Sequence, residues 1–162
     1  MSAPVVAIRR ARRRDLPVII ALGAALARHV EDEEPPWTPS DLEPLVFGKM
    51  RWCDVLVATV AGEVIGAAIL ARVLQLHEGK KKLYLADLSV APRAQGSGAG
   101  RALMAAVARH ARDLGCQAVF WDVWTGNVEA YRFYDRLGAS RDDRVVTMMS
   151  LDAEGLARLL QD

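Results

Sequence analysis

Cysteine is scarce. Cys53 and Cys116 are the 2 cysteines of a 162-residue chain, far apart and without CxxC spacing. That excludes a disulfide framework and a paired-cysteine zinc site, so two free thiols in a reducing compartment are expected, and no metal. Net charge is equally thin: 21 Lys+Arg against 20 Asp+Glu leave +1, too little for the whole molecule to gather a polyanion. No apolar run approaches the ~20 residues that a bilayer span needs. The amino-terminal segment meets Arg9 and Arg10 too soon for a secretory signal, so a cytoplasmic protein is expected. Repeats and low-complexity linkers are missing as well, which predicts one domain over residues 1–162.

What is present reads as a globular α/β chain, 52% apolar and 25% charged. Residues 5–10 pattern as a strand. Asp15 can cap a helix whose apolar positions Leu16, Ile19, Ile20, Gly23, Leu26, Ala27 and Val30 follow helical spacing and which must end before Pro35-Pro36. A short helix over 40–47 follows, capped by Thr38 or Ser40. Strands over 54–60 and 63–71 meet at Ala61-Gly62 in a hairpin pattern. A strand over 83–90 precedes a glycine-rich turn and a long helix closed by Gly115. Then come a strand over 117–124, a helix over 127–137, a strand over 145–151 and a helix over 153–161. The order β-α-α-β-β-β-α-β-α-β-α predicts a mixed sheet with helices on both faces, the 83–90 and 117–124 strands lying parallel.

The turn is Gln95-Gly96-Ser97-Gly98-Ala99-Gly100-Arg101, set between a strand and a helix amino terminus. Unpaired N–H groups and the positive dipole end suit an anion there, and glycine lets the main chain approach it closely. A flexible connection is the plainer reading, but a linker seldom abuts an uninterrupted amphipathic helix. A P-loop would need Gly-Lys-Ser/Thr where Gly100-Arg101-Ala102 stands, and the dinucleotide fingerprint fails for its third glycine at Arg101.

The loop resembles the Gln/Arg-x-x-Gly-x-Gly/Ala signature of the GNAT acetyltransferases, met by Gln95, Gly98 and Gly100. Leu88-Ser89-Val90-Ala91-Pro92 is similar to the strand end that precedes it, and the run from Asn127 through Ala130, Phe133 and Tyr134 to Ala139 resembles the family's second hallmark. The resemblance implies that the central parallel strands splay to admit acetyl-CoA. Main-chain groups of Leu88, Ser89 and Val90 would hold pantetheine and thioester, and the N–H groups of Gly96, Ser97, Gly98, Ala99, Gly100 and Arg101 the pyrophosphate. Asn127, Ala130 and Tyr134 would complete the cofactor site.

Acetyl transfer to an amine needs a deprotonated nucleophile, an oxyanion donor and an acid for the leaving thiolate. By resemblance Ser89 offers the oxyanion N–H and Tyr134 the acid. A phenol with a reference pKa of ~10 stays protonated at neutral pH, although a packed core aromatic is the other reading of Tyr134. Asp87 is the candidate base beside a structural-carboxylate reading, since Ala86 and Asp87 face the site together only if a bulge intervenes. A water chain, or Asp122 on the neighbouring strand, is the alternative. His29, His77 and His110 show no pairing pattern and are expected at the surface.

Glu31-Asp32-Glu33-Glu34 crowds a helix carboxyl end, where acids oppose the dipole. An acidic mouth for a cationic amine and a solvated loop are the two readings. This run, Leu83-Tyr84-Leu85-x-Asp87 and Leu137-Gly138-Ala139-Ser140 resemble the diamine/polyamine acetyltransferases, a group that forms homodimers. Ala86, however, replaces that group's substrate-side glutamate. A thialysine, an amino acid, an aminoglycoside and a protein amine stay open as substrates, and a non-catalytic acetyl-CoA sensor stays open as a function. Asn127 and Tyr134 favour catalysis. The arginines at 9, 10, 12, 13 and 14 lack interleaved aromatics, so a solvated face or pairing with the acidic run is expected rather than nucleic-acid contact.

Overall fold

A computed structural model describes residues 5–141, together with 151, 153, 154 and 158. Its elements are β1 (Ala7–Arg10), α1 (Leu16–His29), α2 (Pro39–Phe47), β2 (Asp54–Val60), β3 (Glu63–Gln75), β4 (Lys80–Val90), α3 (Ala99–Asp113), β5 (Ala118–Phe120) and α4 (Val128–Arg136). The order is the expected one as far as α4. The expected strand over 145–151 and helix over 153–161 lie, but for those four positions, outside the described residues.

The sheet runs β1-β2-β3-β4-β5. Its first three pairings are antiparallel and β4–β5 is parallel. β2 and β3 turn through Ala61 (φ 49) and Gly62 (φ 85), with Val60 facing Glu63. Two successive positive φ values make this the primed turn that matches strand twist. β3 and β4 run several residues beyond their sequence patterns, into a hairpin arm whose Leu74 and Leu76 are exposed. Cross-strand pairing, which a single-strand pattern does not contain, extends them.

Alternation along the strands builds two cores. Leu56, Ala58, Ala68, Leu70, Leu83 and Leu85 face α3, where Leu103 and Val107 are fully buried. Val55, Val57 and Ala67 face the other way, onto Leu16, Ile19 and Leu22 of α1 and Val46 of α2. α2 starts at Thr38, whose hydroxyl accepts the Asp41 N–H at 3.3 Å while the Asp41 carboxylate accepts the Thr38 N–H at 2.9 Å. This reciprocal box satisfies two orphan donors. Asp15 stands where a cap was expected but does not cap α1. Its buried carboxylate instead accepts the Arg12 N–H at 2.7 Å and both arms of the Arg9 guanidinium. The Arg9 hydrogen bond holds its pKa below the usual carboxylate value.

His110 corrects an expectation. It is buried, with Nε2 3.0 Å from Asp54 Oδ2. Asp54 is buried too and pairs with Arg72 at 3.0 Å and Arg10 at 3.5 Å. Burial pushes the Asp54 carboxyl up, yet its hydrogen bonds to His110 and Arg72 hold it below its ordinary value. The arginine run does pair, but with Asp15, Asp54 and Glu43 rather than with the acidic run. Single-sequence spacing could not bring residues 54 and 110 together across the sheet.

Candidate active site

β4 and β5 are hydrogen-bonded only from Lys82↔Ala118 to Tyr84↔Phe120. Beyond that pair the strands part. β5 is thus 3 residues long instead of spanning 117–124, and the rest of β4 presents an open edge. A bulge lies at the fork: Leu85 faces Leu70 and Asp87 faces Ile69, so Ala86 is the extra residue. Strict alternation would turn Asp87 onto the α3 core with Leu83 and Leu85. The bulge puts it on the opposite face, where it lines a cavity with Ala86 and Ser89.

The antiparallel ladder also decides which main-chain groups face the fork. The Ala91 N–H bonds the Ile65 carbonyl at 2.8 Å, and Ser89 and Asp87 lie opposite Ala67 and Ile69 in the same register. Hydrogen-bonded and outward-facing residues alternate in such a pair. Ser89 and Asp87 therefore turn their N–H groups toward β3, whereas Leu88 and Val90 turn theirs into the fork. The main-chain N–H of Ser89 is directed away from the gap for which the sequence nominated it.

The glycine loop enters α3 directly. Gly96 (φ 79) and Gly98 (φ 85) occupy the left-handed region, where a side chain is strained. Gly100 is small for a different reason: a Cβ there would stand 3.2 Å from Phe133 of α4. Ser97 N–H bonds Ala94 O at 3.2 Å and Ala99 N–H bonds Ser97 Oγ at 3.4 Å. The N–H groups of Gly96, Gly98, Gly100 and Arg101 have no partner among the described residues. Four free donors within six residues and an open strand edge fit the pyrophosphate and the amide-bearing pantetheine arm of acetyl-CoA. Gln95 is exposed at the loop entrance.

Asn127 caps α4, its Oδ1 accepting the Ala130 N–H at 3.0 Å. That fixes the helix so that Tyr134 comes to lie against Trp121, rings 4.8 Å apart, and edge-on to Phe133 at 5.1 Å. Burial, with help from the Asp122 charge, pushes the Tyr134 phenol up to about 12. Burial and the same charge raise Asp87. Asp122 accepts the Tyr84 hydroxyl at 2.5 Å. That bond, burial and the charges of Asp122 and Asp87 lift Tyr84 to about 12.

Tyr134, Asp87 and Asp122 share a cavity of about 1620 Å³ that runs from the fork across the α1–α2 side of the sheet. Asn127, Ala130, Tyr134 and Leu88 line it, as do the acids Asp32, Glu33, Asp87 and Asp122. The acidic run is therefore divided. Glu31 takes the left-handed position (φ 62) after α1, where the Asp32 N–H closes back on Ala27 O at 2.9 Å. Glu34 pairs with Arg28 at 2.5 Å. Of the apolar α1 positions, Leu16 is core, whereas Ile20, Gly23, Leu26, Ala27 and Val30 line the cavity. Sequence reasoning overlooked one signal: the 4 tryptophans of the chain, Trp37, Trp52, Trp121 and Trp124, all line this cavity. Cys53 lines it too, its thiol pushed up by burial and by Asp54 and Asp87. Among the described residues no cluster of metal-ligating side chains occurs, and no helix is long and apolar enough to cross a membrane.

A mixed sheet with one forked parallel pair, a glycine loop at a helix amino terminus and a half-buried tyrosine at the fork define an acyl-CoA-dependent transferase. The chain matches the acetyltransferase (GNAT) family over residues 22–139 and belongs to it. It is an acetyl-CoA-dependent N-acetyltransferase with the α/β GNAT fold. It is 31% identical over 150 residues to an aminoglycoside N(6')-acetyltransferase type 1 from Stenotrophomonas maltophilia, covering 90% of this chain and 92% of that one. An integron cassette protein from the mobile metagenome of V. cholerae superposes with a TM-score of 0.79 at 25% identity, over 97% of this chain and 98% of the other. An aminoglycoside acetyltransferase from an uncultured soil metagenomic sample, solved with sisomicin, shares the fold at a TM-score of 0.73 and 22% identity, over 90% and 95%. The two of these relatives that are named for a substrate are aminoglycoside enzymes, not members of the diamine/polyamine group that the sequence resembled.

Proposed function

We propose that this acetyltransferase acts on an amino group of an aminoglycoside-like substrate, a ring-bearing amine with several positive charges. The observation that carries the reading is the composition of one cavity: four acids and all 4 tryptophans open onto the fork that holds Tyr134 and Asp87. Acids attract ammonium groups, and indole faces stack on sugar rings and cations. A volume of about 1620 Å³ exceeds the roughly 300–1,000 Å³ of ordinary small-molecule sites, so it has room for a pantetheine arm and a multi-ring amine together. A linear diamine would leave much of it empty, and Ala86 supplies no carboxylate for a distal ammonium. The kinship to an aminoglycoside N(6')-acetyltransferase supports the same class.

When bound, acetyl-CoA supplies an activated thioester. The free N–H groups of Gly96, Gly98, Gly100 and Arg101 hold its pyrophosphate, and the open edge of β4 pairs with its amides as an added strand would. The Leu88 N–H, turned into the fork, donates to the thioester carbonyl oxygen, in place of Ser89. Asp87, raised by burial and by Asp122, takes the proton from the arriving ammonium. Tyr134, protonated far above neutral pH, gives its phenolic proton to the departing sulfur. Asp32, Glu33 and Asp122 hold the remaining ammonium groups.

Thiol release from acetyl-CoA with sisomicin, spermidine, thialysine and free amino acids tests the reading. Turnover of sisomicin well above the others is expected. Turnover of spermidine or an amino acid with none of sisomicin would overturn it.

A further inference from the structure

One side-chain hydrogen bond crosses the fork where β4 and β5 separate. Tyr84 belongs to the last register pair, opposite Phe120, and its ring leans on that phenylalanine with centroids 5.1 Å apart. Its hydroxyl reaches past the end of the ladder to Asp122 Oδ1 at 2.5 Å, the short length expected when a hydroxyl meets a carboxylate. Asp122 Oδ2 has no hydrogen bond among the described residues, and Asp122 lines the cavity. The carboxylate therefore stands with one oxygen held and the other offered to whatever enters. Asp122 lines the same cavity as Asp87 and Tyr134, the groups that would handle protons, and its charge raises both.

We propose that Tyr84 is a positioning residue of this enzyme: by gripping Oδ1 of Asp122 across the fork it aims Oδ2 at the amine. Two features of the fork argue that the bond has this role. Among the described residues no main-chain pairing joins the limbs beyond Phe120, so it is the side-chain bond to Tyr84 that holds Asp122 to β4 there. The bulge at Ala86 begins two residues after Tyr84, which puts Tyr84 and Asp87 on the same face, either side of the point where the edge opens. An unheld Asp122 would sample several rotamers, and ordering it on binding would cost affinity.

This inference rests on the acetyl-transfer reading, and its test separates the two. Tyr84→Phe keeps the ring against Phe120 and removes only the hydroxyl. Sisomicin binding to the full-length protein saturated with CoA is measured by calorimetry for wild type, Tyr84→Phe, Asp122→Asn and the double variant, alongside KM, kcat and melting temperature. A hydrogen bond to a charged group is worth enough that Tyr84→Phe is expected to weaken sisomicin binding and raise its KM about tenfold. CoA affinity and kcat should stay within about twofold, and the melting temperature should not move. Because Tyr84 acts through Asp122, the double variant is expected to bind no worse than Asp122→Asn alone. Losses that add in the double variant, or unaltered binding in Tyr84→Phe while wild type turns sisomicin over, would overturn the positioning role alone. A wild type that neither binds nor acetylates sisomicin would overturn the substrate reading and this inference with it.

Discussion

The two faces of the sheet are made by the same strands and have opposite characters. On the α3 face Leu83, Leu103 and Val107 are sealed at 0% exposure, and the buried Asp54 is hydrogen-bonded to His110 and paired with Arg72. On the α1–α2 face the apolar packing stops at Val55 and Ala67, and the rest of the surface opens into the cavity. Alternation alone assigns residues to the two faces, and one bulged alanine moves Asp87 from the sealed side to the open one. Stability and chemistry are thus separated by side-chain direction, one residue apart along β4.

Substitutions on the open face should therefore change kinetics and leave stability, and those on the sealed face should do the reverse. The largest effect expected is at Tyr134. Tyr134→Phe should lower kcat by on the order of 10²- to 10³-fold with acetyl-CoA affinity and melting temperature unchanged; an intact kcat would break the comparison at its catalytic end. On the sealed side Leu103→Ala should destabilise the fold by about 2–5 kcal/mol in denaturant titration, with kcat/KM per folded molecule unaltered.

Asp87→Asn comes next, with kcat down by about 10²-fold and a changed pH profile. Asp87 accepts a proton only when ionised. With its pKa raised, wild-type activity should climb with pH through a midpoint above the ordinary carboxylate value. That rising limb should vanish in the variant. Tyr134 must stay protonated, and with a pKa of about 12 it contributes no falling limb near neutrality. Trp52→Ala should raise the amine KM by about tenfold and hardly move the melting temperature, because Trp52 is 78% exposed. The smallest effect expected is a gain. Glu31→Gly relieves a left-handed residue and should stabilise the protein by about 1 kcal/mol, leaving the amine KM as it was, since Glu31 does not line the cavity.

Local features were legible in the sequence. The glycine loop, the α3 helix behind it and a helix starting at Asn127 follow from spacing and turn chemistry within a few residues of one another, whereas Tyr134 was singled out by resemblance to the family motif. Three things were not legible, each because it depends on a partner strand or helix. The Ala86 bulge is a register slip against Leu70 and Ile69, invisible in β4 alone. The short β5 reflects where pairing with β4 ends, although residues 117–124 all carry a strand pattern. The apolar face of α1 was readable as a face, but not that Ile20, Leu26 and Val30 would border a cavity rather than fill a core. His110 was misassigned for the same reason, since its partner Asp54 is 56 residues away in the chain.

The central claim, that the open face acetylates a polycationic ring-bearing amine through Tyr134, is tested most directly by thiol release with sisomicin and with spermidine. Wild type and Tyr134→Phe are run side by side, with an amine-free blank because Cys53 and Cys116 are free thiols. The account predicts sisomicin turnover that exceeds spermidine turnover and collapses in the variant. Sisomicin turnover that survives in Tyr134→Phe, or spermidine turnover without any on sisomicin, would contradict it.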